Sequence, residues 1–299
     1  MSIKVQEVSK IYGKQKALDN LSFEINQGEI VGFLGPNGAG KSTMMKIITG
    51  YIPQTSGLVE VNALDVSKDS LEIRKQIGYL PEHNPLYLEM YVKEYLNHVA
   101  SIYKLGNRKA KRIAEIIDLT GLGDEQNKKI ASLSKGYRQR VGIAQALIHD
   151  PKVLILDEPT TGLDPNQLLE IRKLIINIGR EKTVMLSTHI MQEVEACCQR
   201  VLIVNKGKLA ADRKIDFLSA VKSSPMVEVE FASEVSIELL QQLNDVVQLI
   251  ELGSKRFTFV SKKDIRKSIF EFAVAKNLVI LEMKSKAQNL EDIFHELTV

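Results

Sequence analysis

The chain has 299 residues, 44% of them hydrophobic and 26% charged, with a formal net charge of +3. That length and apolar content allow one large domain or two smaller ones around a real core, and so small a charge gives no reason to expect a nucleic-acid partner. No apolar run reaches the roughly 18 residues of a membrane-spanning helix, so a membrane role would need a membrane-spanning partner.

Residues 1–5 enter a strand-like pattern directly, without the basic and apolar regions of a secretory leader. Residues 1–220 alternate short β-rich runs with helical patterns, which predicts an α/β domain on a largely parallel sheet. The strand-like run Ile30–Leu34 leads into Gly35-Pro36-Asn37-Gly38-Ala39-Gly40-Lys41-Ser42, a full match to the phosphate-loop pattern. A helical pattern with Met44, Met45, Ile47 and Ile48 follows. Glycines let the backbone turn tightly, so that several N–H groups point at phosphate oxygens, and the helix N-terminus adds partial positive charge. Lys41 is then placed for the β- and γ-phosphates of ATP, the Ser42 hydroxyl for Mg²⁺, and Thr43 completes the nucleotide-binding set.

Residues 84–150 read as a helical insertion, with Tyr91, Tyr95, Leu96, Ile113, Ile116 and Ile117 as its apolar positions. Residues 153–156 form an apolar strand that ends in Asp157-Glu158, as a buried parallel strand would. Ligands of such sheets lie off the carboxyl ends of the strands. Asp157 is expected to help hold Mg²⁺ or its waters, and Glu158 to act as general base or to orient water. A later strand, 183–186, ends in Ser187-Thr188-His189, which places His189 for a γ-phosphate contact. The only two cysteines, Cys197 and Cys198, are adjacent, a spacing that disfavours a mutual disulfide and fits a reducing cytosol.

Lys222-Ser223-Ser224-Pro225 marks a domain boundary. Residues 225–299 then read as strand, helix, two strands, helix and strand, with Val227, Val229 and Phe231 alternating in the first. That order predicts a small α+β ferredoxin-like domain, closed by a terminal helix over 290–297. It could serve dimer stability, regulation or partner binding.

Leu133-Ser134-Lys135-Gly136-Tyr137-Arg138-Gln139-Arg140 resembles the signature motif of ABC ATPases, and it precedes the Asp157-Glu158 strand as in that family. Ser134 can cap the helix that runs to Leu147, which makes its N-terminus a second anion site. The resemblance implies a P-loop NTPase core with a helical subdomain. It also implies a head-to-tail homodimer in which Ser134 and Gly136 meet the γ-phosphate held by the partner. It further implies that Tyr12 stacks on adenine, that Asp164 in Thr161-Gly162-Leu163-Asp164-Pro165 contacts the partner subunit, and that His189 is the switch histidine. Lys135 and Tyr137 stand where the family usually has glycine and glutamine, and Glu82 replaces a usual glutamine near Mg²⁺. These departures resemble the ABC-2 exporter branch that includes drug-resistance ATPases. The implied function is an ATP-hydrolysing subunit at the inner face of the cell membrane, bound to ABC-2 permease subunits. Residues 289–294 resemble the C-terminal extension of that branch. Residues 80–96 (LPEHNPLYLEMYVKEYL) and 187–196 (STHIMQEVEA) most resemble gliding-motility-associated ABC ATPases. A soluble nucleotide-dependent regulator is the alternative. A small-molecule kinase would leave the signature motif and His189 without a role.

Overall fold

The computed structural model describes residues 1–215, 225–243, 245–261 and 263–287, which fall into two compact units dividing after Ile215. The expected terminal helix over 290–297, the 289–294 resemblance and most of the 222–225 boundary lie outside the described residues.

The first unit contains two sheets. Strands β1 (Ile3–Tyr12), β2 (Gln15–Ile25), β4 (Ser56–Val61) and β5 (Leu64–Asp65) form an antiparallel sheet in the order β2-β1-β4-β5. This sheet departs from the expected, largely parallel pattern. The reason is local: only two residues, one of them Gly13 at φ +56°, separate β1 from β2, and so short a link can only make a hairpin.

The second sheet runs β10-β9-β3-β8-β7-β6. Its members are β3 (Ile30–Leu34), β6 (Ile77–Leu80), β7 (Val153–Asp157), β8 (Thr183–Thr188), β9 (Arg200–Asn205) and β10 (Lys208–Lys214). Five strands are parallel and β10 is antiparallel to β9. Every residue of β3, β7 and β8 is buried, which explains why these strands read as continuous apolar runs rather than alternations. β8 extends two residues beyond the expected 183–186, so Ser187 and Thr188 pair in the sheet and His189 is the first residue past it. Helices α1 (Lys41–Ile48) and α2 (Ser70–Gln76) flank the early strands. Helices α6 (Pro165–Gly179) and α7 (Met191–Cys197) follow β7 and β8.

Between β6 and β7 the chain is helical: α3 (Val92–Ile102), α4 (Lys109–Leu119) and α5 (Lys135–Leu147). Tyr95, Leu96, Ile113, Ile116 and Ile117 are buried as their spacing requires, whereas Tyr91 is exposed at the N-cap of α3.

The second unit pairs β11 (Pro225–Phe231), β12 (Val246–Gly253), β13 (Arg256–Ser261) and β14 (Ile280–Ala287) in the order β12-β13-β11-β14, all antiparallel. With helices α8 (Ile237–Leu240) and α9 (Arg266–Ala275) this is the split βαβ topology of a ferredoxin-like fold. Val227, Val229, Phe231, Phe257 and Phe259 are all at most 1% exposed and form its core with Ile265 and Ile269. Burying side chains of this size contributes about 1.5–3 kcal/mol each.

Cys197 and Cys198 are free and buried. Burial pushes the Cys197 thiol up to about 11 and the Cys198 thiol well above its ordinary value. Both thiols should therefore resist iodoacetamide at pH 8 in the folded chain and react after unfolding in guanidinium chloride, which intact-mass analysis reads directly.

Candidate functional site

The phosphate loop joins the end of β3 to the start of α1, and close backbone packing dictates its glycines. A Cβ on Gly35 would stand 2.4 Å from the Val204 carbonyl oxygen. Gly40 has φ +105°, and a Cβ there would stand 2.6 Å from the Ala17 carbonyl oxygen. Gly38 also has positive φ, +80°, and Ala39 donates its N–H to the Pro36 carbonyl at 3.1 Å. Lys41 is 7% exposed, and its ammonium donates to the carbonyls of Gly35 at 2.7 Å and Pro36 at 3.2 Å. Burial pulls the Lys41 pKa down, and the charges of Glu158, Asp157 and Glu82 oppose that shift.

The carboxylates come from β7. Asp157 is its last residue, 2% exposed, and its Oδ1 is buried without a hydrogen-bond partner among the described residues. An unpartnered buried carboxylate oxygen at the end of a central strand fits a hard cation or that cation's water. Glu158 follows in the left-handed region at φ +50°, a conformation that costs about 1–3 kcal/mol for a non-glycine residue. Its N–H donates to the Ser187 carbonyl at 3.1 Å, which anchors the turn to β8. The Glu158 side chain accepts from His189 Nδ1, 3.0 Å from each carboxylate oxygen, and from Thr161 Oγ1 at 3.1 Å. Lys41 Nζ lies 4.0 Å from Glu158 Oε1. A carboxylate only accepts, so the His189 contact places a proton on Nδ1 and leaves Nε2 for other partners.

Lys41, Glu158, Thr161 and His189 share one cleft of about 620 Å³, a size that suits a nucleotide, whereas the predicted Gly35, Pro36, Ala39 and Asp157 are not among its lining residues. Tyr12, Asn37, Gly38, Gly40, Lys41, Ser42, Thr43, Glu82, Glu158 and His189 line it together. Tyr12 is half-exposed, with the Lys10 ammonium 5.1 Å from its ring centroid. Gln15 and Ala17 also line the cleft without a sequence signal, and so does Thr161, which the sequence places only at the start of the 161–165 motif. Gln15 and Ala17 lie on β2, whose approach to the phosphate loop is a tertiary contact that carries no local signal.

Ser134, Gly136 and Asp164 do not line this cleft. Ser134 caps α5, accepting from the Tyr137 N–H at 3.3 Å, and Asp164 caps α6, accepting from the Gln167 N–H at 2.9 Å. The two caps are joined: Gln167 Nε2 donates to Ser134 Oγ at 3.3 Å. Gly136 leaves room for the Gln167 side chain, since a Cβ there would fall 2.6 Å from Gln167 Cδ and make that side chain shift. Lys135 reaches the loop before α6, where a Cβ on Gly162 would be 2.2 Å from its Nζ.

Residues 18–161 match the family model described as ABC transporter. The bacitracin transport ATP-binding protein BcrA of Bacillus licheniformis is 34% identical over 99% of this chain and 96% of its own length. The chain belongs to the ABC transporter ATPase family. The linearmycin resistance ATP-binding protein LnrL of Bacillus subtilis (strain 168) is 33% identical over 99% of this chain and 98% of its own. Among solved structures, a dimeric post-hydrolysis state of the ATP-binding cassette MJ0796 bound to ADP and Pi superposes with a TM-score of 0.65. It is 28% identical and covers 71% of this chain and 98% of its own. The protein is thus an ATP-binding and ATP-hydrolysing ABC ATPase coupled to transport. Among the described residues, no helix is long and apolar enough to cross a membrane.

The strained approach at Gly40 gives a direct test of the phosphate loop. Gly40→Ala should weaken ATP binding about tenfold or more, with far-UV circular dichroism unchanged, as titration calorimetry would show.

Proposed function

We propose that this ABC ATPase works as a homodimer that powers export through separate ABC-2 membrane permease subunits, held by them at the cytoplasmic face. One observation carries the dimer. The capped N-terminus of α5, with Ser134 and Gly136, does not line the cleft that holds Lys41 and Glu158. An ATP site that uses both anion-binding features needs a second copy of the chain, and MJ0796, similar in fold, is described as dimeric.

In this reading the phosphate loop, 35–42, wraps the phosphates with its N–H groups, and Lys41 neutralises charge on the β- and γ-oxygens. Ser42, Asp157 and Glu82 would hold Mg²⁺, whose chemistry is to neutralise phosphate charge. Tyr12 offers a ring face to adenine. Glu158 orients water for attack on the γ-phosphate, and the His189 and Thr161 donors keep its carboxylate aimed. His189 Nε2 faces the γ-phosphate. Ser134 and Gly136 of the opposing copy close the site, and Asp164 lies beside that interface. The domain over residues 1–220, with its helical part at 84–150, carries the chemistry, and the domain over 225–299 is accessory to it.

Export of the drug-resistance kind is supported by the relatives, one named for bacitracin transport and one for linearmycin resistance. A role in gliding motility is a narrower reading supported by segments 80–96 and 187–196. Deleting the gene separates the two: lost gliding with unchanged antibiotic sensitivity supports the gliding role, and the reverse pattern removes it.

Glu158→Gln should bind ATP with near wild-type affinity, lose hydrolysis by about 100-fold or more, and run as a dimer on size exclusion in ATP. A wild-type rate in that variant would sink the assigned role. Affinity capture of the wild-type chain from detergent-solubilised membranes should bring down a multi-span protein. Capture without one would overturn the transport coupling through separate permease subunits.

A further inference from the structure

Glu193 is a buried carboxylate outside the cleft, 1% exposed, in the first turn of α7. An acidic residue near a helix N-terminus suits the helix dipole, but that role needs neither burial nor specific partners. Glu193 has both. One oxygen, Oε1, accepts from Thr160 Oγ1, and the other, Oε2, accepts from Thr188 Oγ1 at 2.7 Å. Both threonines are buried, at 4% and 0% exposed. Among the described residues no ion pair is made to Glu193, so these hydroxyls carry the solvation that water would otherwise supply.

The threonines stand next to the reacting groups in the chain. Thr160 lies two residues after Glu158, and Thr188 immediately precedes His189. Since His189 Nδ1 donates to Glu158, three hydrogen bonds and two short chain links (158–160 and 188–189) close a ring: Glu158, Thr160, Glu193, Thr188, His189 and back to Glu158. Thr188 Oγ1 also accepts from the Ile190 N–H at 3.0 Å, which fixes the exit from β8. Two loops from different strands are thereby tied to a single side chain rooted in α7.

We propose that Glu193 is a positioning residue for ATP hydrolysis, holding the Glu158 and His189 loops in register by clamping Thr160 and Thr188 with its two carboxylate oxygens. The proposal rests on the roles given to Glu158 and His189 above. A displacement near 1 Å of a reacting group costs on the order of 100-fold in rate, so a clamp behind both loops controls kcat rather than affinity.

The test compares Glu193→Ala, Glu193→Gln and Thr160→Val with the wild-type chain in steady-state ATPase assays, together with the ¹⁵N resonance of His189 Nδ1. Glu193→Ala and Thr160→Val should lower kcat about 10- to 100-fold with KM for ATP within about twofold, and shift the Nδ1 resonance. Glu193→Gln keeps two polar atoms of the same reach and should retain most of the rate. Should Glu193→Ala fail to fold, Thr160→Val carries the same expectation, because it removes one hydroxyl and keeps the side-chain shape. An unchanged kcat, a KM change alone, or a rate loss with the Nδ1 resonance unmoved would each overturn the proposal, the last leaving Glu193 as a fold-stabilising group only. Wild-type hydrolysis in Glu158→Gln and in His189→Ala would instead overturn the roles assigned to those residues, and the clamp with them.

Discussion

Three parallel strands locked in one register set up everything else. Leu34 at the end of β3 pairs with Thr188 at the end of β8, and Asp157 at the end of β7 pairs with Ser187. The order β3-β8-β7 puts these ends side by side. The phosphate loop, the acidic pair and His189 are therefore delivered to a single edge, although some 120 residues separate Lys41 from Glu158 along the chain. A slip of one residue in any of these strands would reverse its side-chain facing and break the constellation. Complete burial of β3, β7 and β8 makes such a slip costly.

Much of this was legible beforehand, because its causes are local. The apolar run over Ile30–Leu34 predicts β3 with its observed bounds, and that over 153–156 predicts β7 short of its last residue, since apolar runs bounded by glycine or by charge leave little choice. The ferredoxin-like order of the second unit followed from alternation and turn residues. Features made by tertiary contact were not legible. The alternation of β-rich and helical runs over 1–220 does not separate the antiparallel sheet of β1, β2, β4 and β5 from the parallel one. Gln15 and Ala17 line the cleft without a sequence signal. Glu193 carries no signal of its own in the sequence, and only the approach of Thr160 and Thr188 shows its place.

The site also shows how electrostatics and packing divide the work. The Lys41 ammonium is buried, held by two carbonyls and faced by Glu158 at 4.0 Å, so its charge is compensated within the chain. Asp157 Oδ1, by contrast, has no hydrogen-bond partner among the described residues. A buried polar atom in that condition is expensive, and native folds retain such atoms where a further partner is to be met. Ser187 Oγ, across the ladder from Asp157, is in the same condition.

The link between the two helix caps has a mechanical consequence. Ser134 and Asp164 lie 30 residues apart in the chain, yet Gln167 binds both, and Gly136 lets α6 pack with no side chain between. The starts of α5 and α6 are thus joined through a single residue. A change at Gln167 therefore alters the surroundings of both caps at once. Gln167, a residue that does not line the cleft, therefore couples the two helix starts through its own backbone and side chain.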